Sequence, residues 1–377
     1  MIVRPVGRRR VRGGWLAAAL ALALAVAGCS SSTPSSSSSP GATGGVAAGS
    51  SLGTSTLGTS AAGSAAVSSA GPGQFTNPVY ADDFPDPSVL AAGATFHAYG
   101  TQGAGANIQT LTSKDLVHWT KGADALPTVG KWASAGNTWA PEVLKVGDSY
   151  QMFYVARDTA SDKQCVGRAT SKDPAGPFTD TSATAFVCQP ELGGSIDPNP
   201  VKDADGKLYL YWKNDGNCCG AKVQLWGQQL IPDASALTGK RVALMSNTKP
   251  WQGNLVEAPE MLGHNGSHIL FYSASNYASA DYAVGYASCT GPLGPCVDKS
   301  DTPLLASSDQ AAGPGHCFPI TLANGSTWLI YHAWKPDAIG STYPGRQLWL
   351  DPLHWKGSVP MVSGPTAGPQ ADPVVTG

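Results

Sequence analysis

Five short runs along the chain alternate large apolar residues with small or polar ones: FHAYGT around Tyr99, YQMFYVA around Tyr154, LYLYWKN around Tyr211, HILFYSA around Tyr272 and WLIYHAW around Tyr331. A period near two predicts strands, and nowhere does a long amphipathic helical pattern interrupt them. Successive tyrosines are 55, 57, 61 and 59 residues apart, and each run follows a glycine, at Gly93, Gly147, Gly206, Gly266 or Gly325. Glycine supplies the positive φ of a tight turn, so each run predicts the second strand of a hairpin. Similar third strands follow in IQTLTSKD, VGRATSKD and VGYASCTG. A repeat of several strands with a period of about 58 residues predicts an all-β fold, a five-bladed β-propeller with one blade per repeat.

Followed backwards from each turn, the same register gives every unit a proline-marked first strand. These are FPDPSV with Asp86, TWAPEV with Glu142, SIDPNP with Asp197, LVEAPEM with Glu257 and GPGHCFP with His316, at spacings of 56, 55, 60 and 59. First strands line a propeller's axis, so five ionisable side chains are expected to converge on one funnel. Carboxylates crowded into a partly dry pocket push one another's pKa values apart, as acid/base chemistry requires. Any one of these residues alone reads better as structural, since Asp-Pro commonly starts a turn; five in one register argue for a site. DADG at 203 to 206 has the beginning of a calcium loop, but it falls on the hairpin of the third unit and reads as a turn.

The ends of the chain differ from this body. Residues 1–28 carry five arginines and then the apolar run WLAAALALALAVAG, the pattern of an export signal and short for a membrane span. The run ends in VAGC, which resembles the lipobox of bacterial lipoproteins and makes Cys29 the expected lipidated residue; the alternative is ordinary cleavage with Cys29 incidental. Residues 29–73, nearly all Ser, Gly, Ala, Thr and Pro, predict a disordered tether, leaving 74–377 as the propeller domain. Removal of the signal shifts the formal charge from -2 to (24 - 5) - 26 = -7, which argues against nucleic acid as partner. The expected product is a monomer outside the cell, touching the membrane through its lipid anchor only.

Seven cysteines follow Cys29, an odd number for an oxidising compartment. Cys289 and Cys296 flank a short loop and Cys165 and Cys188 share the second blade, so both pairs are expected to bridge. Adjacent Cys218 and Cys219 either form a vicinal bridge, leaving Cys317 reduced, or one of them reaches Cys317.

Taken together, DPSV, TWAPEV, SIDPNPVKDADGKLYLYW, VEAPEM with LFYS, GPGH and GRQLWLDPLHW resemble glycoside hydrolase family 43, over residues 76 to 355. The resemblance implies hydrolysis of arabinose- or xylose-containing polysaccharides with inversion. Asp86 would be the general base, Glu257 the general acid, and Asp197 a third carboxylate that orients the acid and keeps it protonated. Base and acid of an inverting glycosidase stand roughly 6.5 to 9.5 Å apart to admit water. Glu260 competes locally with Glu257, but an odd step along a strand points it to the opposite face. Glu142 is expected to line the pocket, Arg346 to donate to a sugar hydroxyl, and Trp139, with Trp132 before it, to stack on a sugar ring. His316 would hold one calcium ion on the axis, bond to the carboxylates, or shape a turn. Two other readings are a carbohydrate-binding propeller without catalysis and a fructan hydrolase that retains configuration.

Overall fold

The structure, a computed structural model, describes residues 71–375; the expected export signal, Cys29 and the expected tether, up to residue 70, lie outside them. Five antiparallel sheets follow one another along the chain, each with its strands in sequence order. Their innermost strands are Ser88–Ala92, Ala133–Val146, Ser195–Lys202, Val256–His264 and Ala312–Thr321, for blades 1 to 5. These five touch in cyclic order, blade 5 returning to blade 1, which makes the assembly the expected propeller. Four blades have four strands. Blade 2 has three, and residues Thr179 and Val187 bridge to its outer edge.

All five signature tyrosines are fully buried on second strands. Burial of a phenol requires a hydrogen-bond partner. Tyr154, Tyr272 and Tyr331 donate to Asp180, Asp298 and Asp351 at 2.8, 2.9 and 2.5 Å, while Tyr99 and Tyr211 donate to the carbonyls of Pro174 and Pro292. Opposite Tyr154 and Tyr272 across the ladder stand Gly167 and Gly285, where a Cβ would come within 2.7 and 2.6 Å of the ring. The glycine in the VGRAT and VGYAS strands therefore makes room for the tyrosine. The turn glycines at 93, 147, 206, 266 and 325 all have positive φ, as the hairpin reading requires, and DADG is the turn of blade 3.

Ring closure is made by the segment entering blade 1. Val79 donates to the Leu348 carbonyl, the Leu348 amide donates to Tyr80, and the Asn77 side chain spans both backbone groups of Leu350 in blade 5. A few residues on, Asp83 accepts the Arg346 amide at 2.8 Å. The tie that closes the ring thus also sets Arg346 beside Asp86.

Disulfides Cys165–Cys188 and Cys289–Cys296 are present, as the spacings suggested. Cys218 and Cys219 are exposed free thiols, and Cys317 is buried and free, so neither bridging alternative for them is formed.

Candidate active site

In each innermost strand, or two residues before it in blade 1, one residue other than glycine at the motif has left-handed backbone: Asp86, Ala140, Asp197, Ala258 and His316, with φ between 43° and 54°. Side chains other than glycine seldom adopt this region, and it clusters where a strand must re-aim its side chains. These five are the structurally equivalent positions, and they correct the register read from the motifs. Glu142 lies two residues beyond its equivalent, while Glu257 lies one before. The pairing shifts register between Trp139 and Glu142 and between Glu257 and Glu260, so strict alternation fails at both places.

Three levels result along the axis. Trp139, Ile196 and Glu257, each just before the left-handed residue, line a cavity of about 350 Å³ together with Asp86, Asp197, His316 and Arg346. Two residues beyond the left-handed position come Glu142, Asn199 and Glu260, all buried and none reaching the cavity. Glu142 therefore stands beneath the pocket floor and not, as expected, in its lining. Trp132 is likewise interior, where its indole donates to Asp180.

Asp86 is the most heavily partnered carboxylate of the cavity. Its Oδ1 accepts from Arg346 Nη1 at 2.7 Å and lies 3.3 Å from His316 Nδ1, and its Oδ2 accepts from the Thr101 hydroxyl at 2.5 Å. The backbone amide of Asp86 donates to His332 Nδ1 at 3.1 Å, fixing the carboxylate's root. Burial alone would raise its pKa. The Arg346 guanidinium, His316 and Thr101 overcome that and hold it well below the usual carboxylate range. Arg346 is itself seated over the rings of Tyr277 and Trp334, at 5.0 and 6.0 Å. Burial together with the neighbouring guanidinium keeps His332 neutral, and its ring stacks on Tyr282.

Across the funnel, Glu257 Oε1 accepts from the Tyr282 hydroxyl and Oε2 from Lys213 Nζ, both at 2.8 Å. Asp197 Oδ2 accepts the Ala258 amide at 2.9 Å, one residue beyond Glu257. Burial raises the Asp197 pKa to about 6, the Glu257 charge adds to the rise, and His316 and Lys213 oppose it.

On the lower level, Asn199 Nδ2 donates to Glu142 Oε2 at 3.0 Å and to Glu260 Oε2 at 2.9 Å. The two glutamates are hydrogen-bonded to each other. Burial pushes Glu142 up to about 7, and burial with the adjacent Glu142 pushes Glu260 well above its usual value, so the pair retains a proton between its two carboxyls.

His316 points Nδ1 at Asp86 and donates its amide to Ser273 at 2.8 Å. Calcium takes six to eight oxygen ligands. Among the described residues, the only trio of His, Cys, Asp or Glu donors close enough to share an ion is Asp158, Cys165 and Cys188, and its cysteines are bonded to each other. The side chains around His316 do not fit a protein-ligated calcium site; its neighbours make it a partner of Asp86.

Lys213, Tyr282, His332 and Thr101 escaped the reading by motif. Lys213 and His332 left one signal, a basic residue placed inside LYLYWKN and WLIYHAW where every neighbour is buried.

The family model for glycosyl hydrolases family 43 matches residues 75–359. An extracellular endo-alpha-(1->5)-L-arabinanase of Bacillus subtilis is 24% identical over 298 residues, covering 73% of this chain and 86% of the relative. A beta-xylosidase of the same organism is 26% identical, covering 78% of this chain and 58% of its own. Among solved structures, a thermostable family-43 glycoside hydrolase superimposes with a TM-score of 0.71 at 28% identity, over 80% of this chain and 99% of the other.

Proposed function

The chain belongs to glycosyl hydrolase family 43 and is a glycoside hydrolase; from that premise we propose that it is an exported, monomeric, inverting enzyme acting on α-L-arabinofuranosidic linkages of arabinan or arabinoxylan. The observation that carries the mechanism is the pairing of two carboxylates from non-adjacent blades in one cavity, each with different partners. Asp86, ionised beside Arg346, takes a proton from water as the oxygen attacks the anomeric carbon. The glycosidic C–O bond breaks on the opposite face, its electrons go to the leaving oxygen, and Glu257 supplies the proton there. Asp86 ends protonated and Glu257 ionised, and solvent restores both. Asp197 bonds to the chain next to Glu257 and adds a negative charge that favours the protonated acid. Trp139, in the lining one blade away, offers an indole face to the sugar.

The arabinanase relative favours arabinan, and its name supports action outside the cell; the beta-xylosidase relative keeps β-xylosides as the second reading. Lipidation at Cys29 belongs to the proposal as the anchor. Hydrolysis of debranched arabinan and of aryl arabinofuranoside and xyloside by the purified protein, with the first-formed anomer followed by NMR, tests it. We expect an inverted arabinose product and loss of activity on debranched arabinan in Glu257→Gln. A retained anomer would remove the single-displacement mechanism, and sugar binding without turnover would favour a lectin-like propeller.

A further inference from the structure

Lys213 lies on the second strand of blade 3 and has no exposed surface, yet its ammonium reaches the wall of the cavity. A buried lysine is costly unless paired. Its Nζ stands 2.8 Å from Glu257 Oε2 and 4.0 Å from Asp215 Oδ1. Burial would lower the lysine's pKa, but Glu257, Asp197 and Asp215 reverse this, so it keeps its charge. Tyr282 covers the other oxygen of Glu257, His316 faces Asp197 from blade 5, and Lys163 and Arg157 act on Asp215 from blade 2.

An ammonium has donors and no acceptor. With Lys213 in place, Oε2 can only accept, so the proton that Glu257 gives away is carried on Oε1, on the Tyr282 side. As that proton leaves, negative charge appears on a carboxyl already facing a fixed cation. Such an interaction strengthens as the reaction proceeds, which is the condition for it to accelerate the step. We propose that Lys213 is a positioning residue for the acid: it orients Glu257 through Oε2 and balances the charge that develops there when the O–H bond of Glu257 breaks and the proton joins the leaving oxygen. Lys213 keeps all three of its protons throughout. Its weight therefore grows with the basicity of the leaving group.

This rests on Glu257 as the proton donor, and the test separates the two claims. The full-length protein is assayed on an arabino-oligosaccharide, whose alkoxide leaving group needs a proton, and on 2,4-dinitrophenyl arabinofuranoside, whose leaving group does not. Lys213→Met is expected to lose roughly 100-fold in kcat on the first and less than about fivefold on the second, with the alkaline limb of the pH profile moved upward. Added to Glu257→Gln, it is expected to cost less than about twofold more on either substrate. Lys213→Gln, which can still donate to Oε2 but carries no charge, gives the same discrimination and serves if the methionine variant does not fold. Equal losses on both substrates, in a background where Glu257→Gln discriminates, would reduce Lys213 to a structural role and overturn the inference. If Glu257→Gln itself fails to discriminate, the assignment of the acid falls first.

Discussion

Carboxylates occupy two levels of the same inner strands, and Asp86 on the upper level is held in the opposite state from the glutamate pair on the lower one. At the cavity, Asp86 has a guanidinium, two imidazoles and a hydroxyl, and is held firmly ionised. Beneath the floor, Glu142 and Glu260 have one asparagine and each other, and share a proton. Residue type does not separate the levels, since both hold acids with little or no exposed surface. What separates them is a paired cation: Arg346 of blade 5 meets Asp86 and Lys213 of blade 3 meets Glu257 on the upper level, and no cation pairs with the lower one among the described residues. A charge that must act is supplied with a counter-charge. A charge that would be idle is neutralised by retaining a proton, the cheaper course for a buried acid without a partner.

The largest effect should therefore follow from disturbing the ionised member. Asp86→Asn removes the proposed base while leaving an oxygen for Thr101, and is expected to lower kcat by about 10³-fold with the fold intact, read by steady-state kinetics beside circular dichroism. A loss below about tenfold would mean that the ionised acid of the upper level is not the base. Asp197→Asn comes next, at roughly 10- to 100-fold in kcat. Its amide oxygen can still accept the Ala258 N–H, so stability should change little. Loss of a negative neighbour should move the alkaline limb of the pH profile downward, opposite to the shift expected for Lys213→Met. Parallel shifts in the two variants would refute the idea that Asp197 and Lys213 pull the acid in contrary directions.

The fold was legible because its signals are local and repeat five times: a glycine turn, an alternating strand and a tyrosine at a nearly constant step. The membership of the cavity was legible in part. Asp86, Asp197, His316, Glu257, Trp139 and Arg346 do come to one pocket. The level of each residue along the axis was not legible, because it depends on a left-handed residue whose effect is a register shift. Ala140 and Ala258 carry no chemical mark of that conformation, so alignment of the proline-marked motifs put Glu142 in the pocket, and a count of two for each alternation turned Glu260 away from the axis. Lys213 and His332 were hidden for another reason. Their partners lie on neighbouring blades 44 and 246 residues away in sequence: Lys213 meets Glu257 by the packing of blades 3 and 4, and His332 meets Asp86 only by closure of the ring.

The lower level supplies the finest test of the contrast. Glu142, at about 7 in the folded protein, lies above its ordinary value of 4.5, so the folded chain holds a proton that the unfolded chain releases. The stability carried by that proton is fully present below pH 4.5 and is lost as the pH rises through 7. The melting temperature of the native protein should accordingly fall between about pH 5 and pH 7.5, in part from this pair. Glu142→Gln keeps an oxygen for Asn199 and removes the titration, so it should flatten that part of the curve while changing kcat by less than about threefold, since Glu142 touches no wall of the cavity. If the variant instead lost activity as Asp197→Asn does, with its melting curve unchanged, the proton below the floor would be coupled to the chemistry above it, and the two levels would have to be treated as one titrating unit.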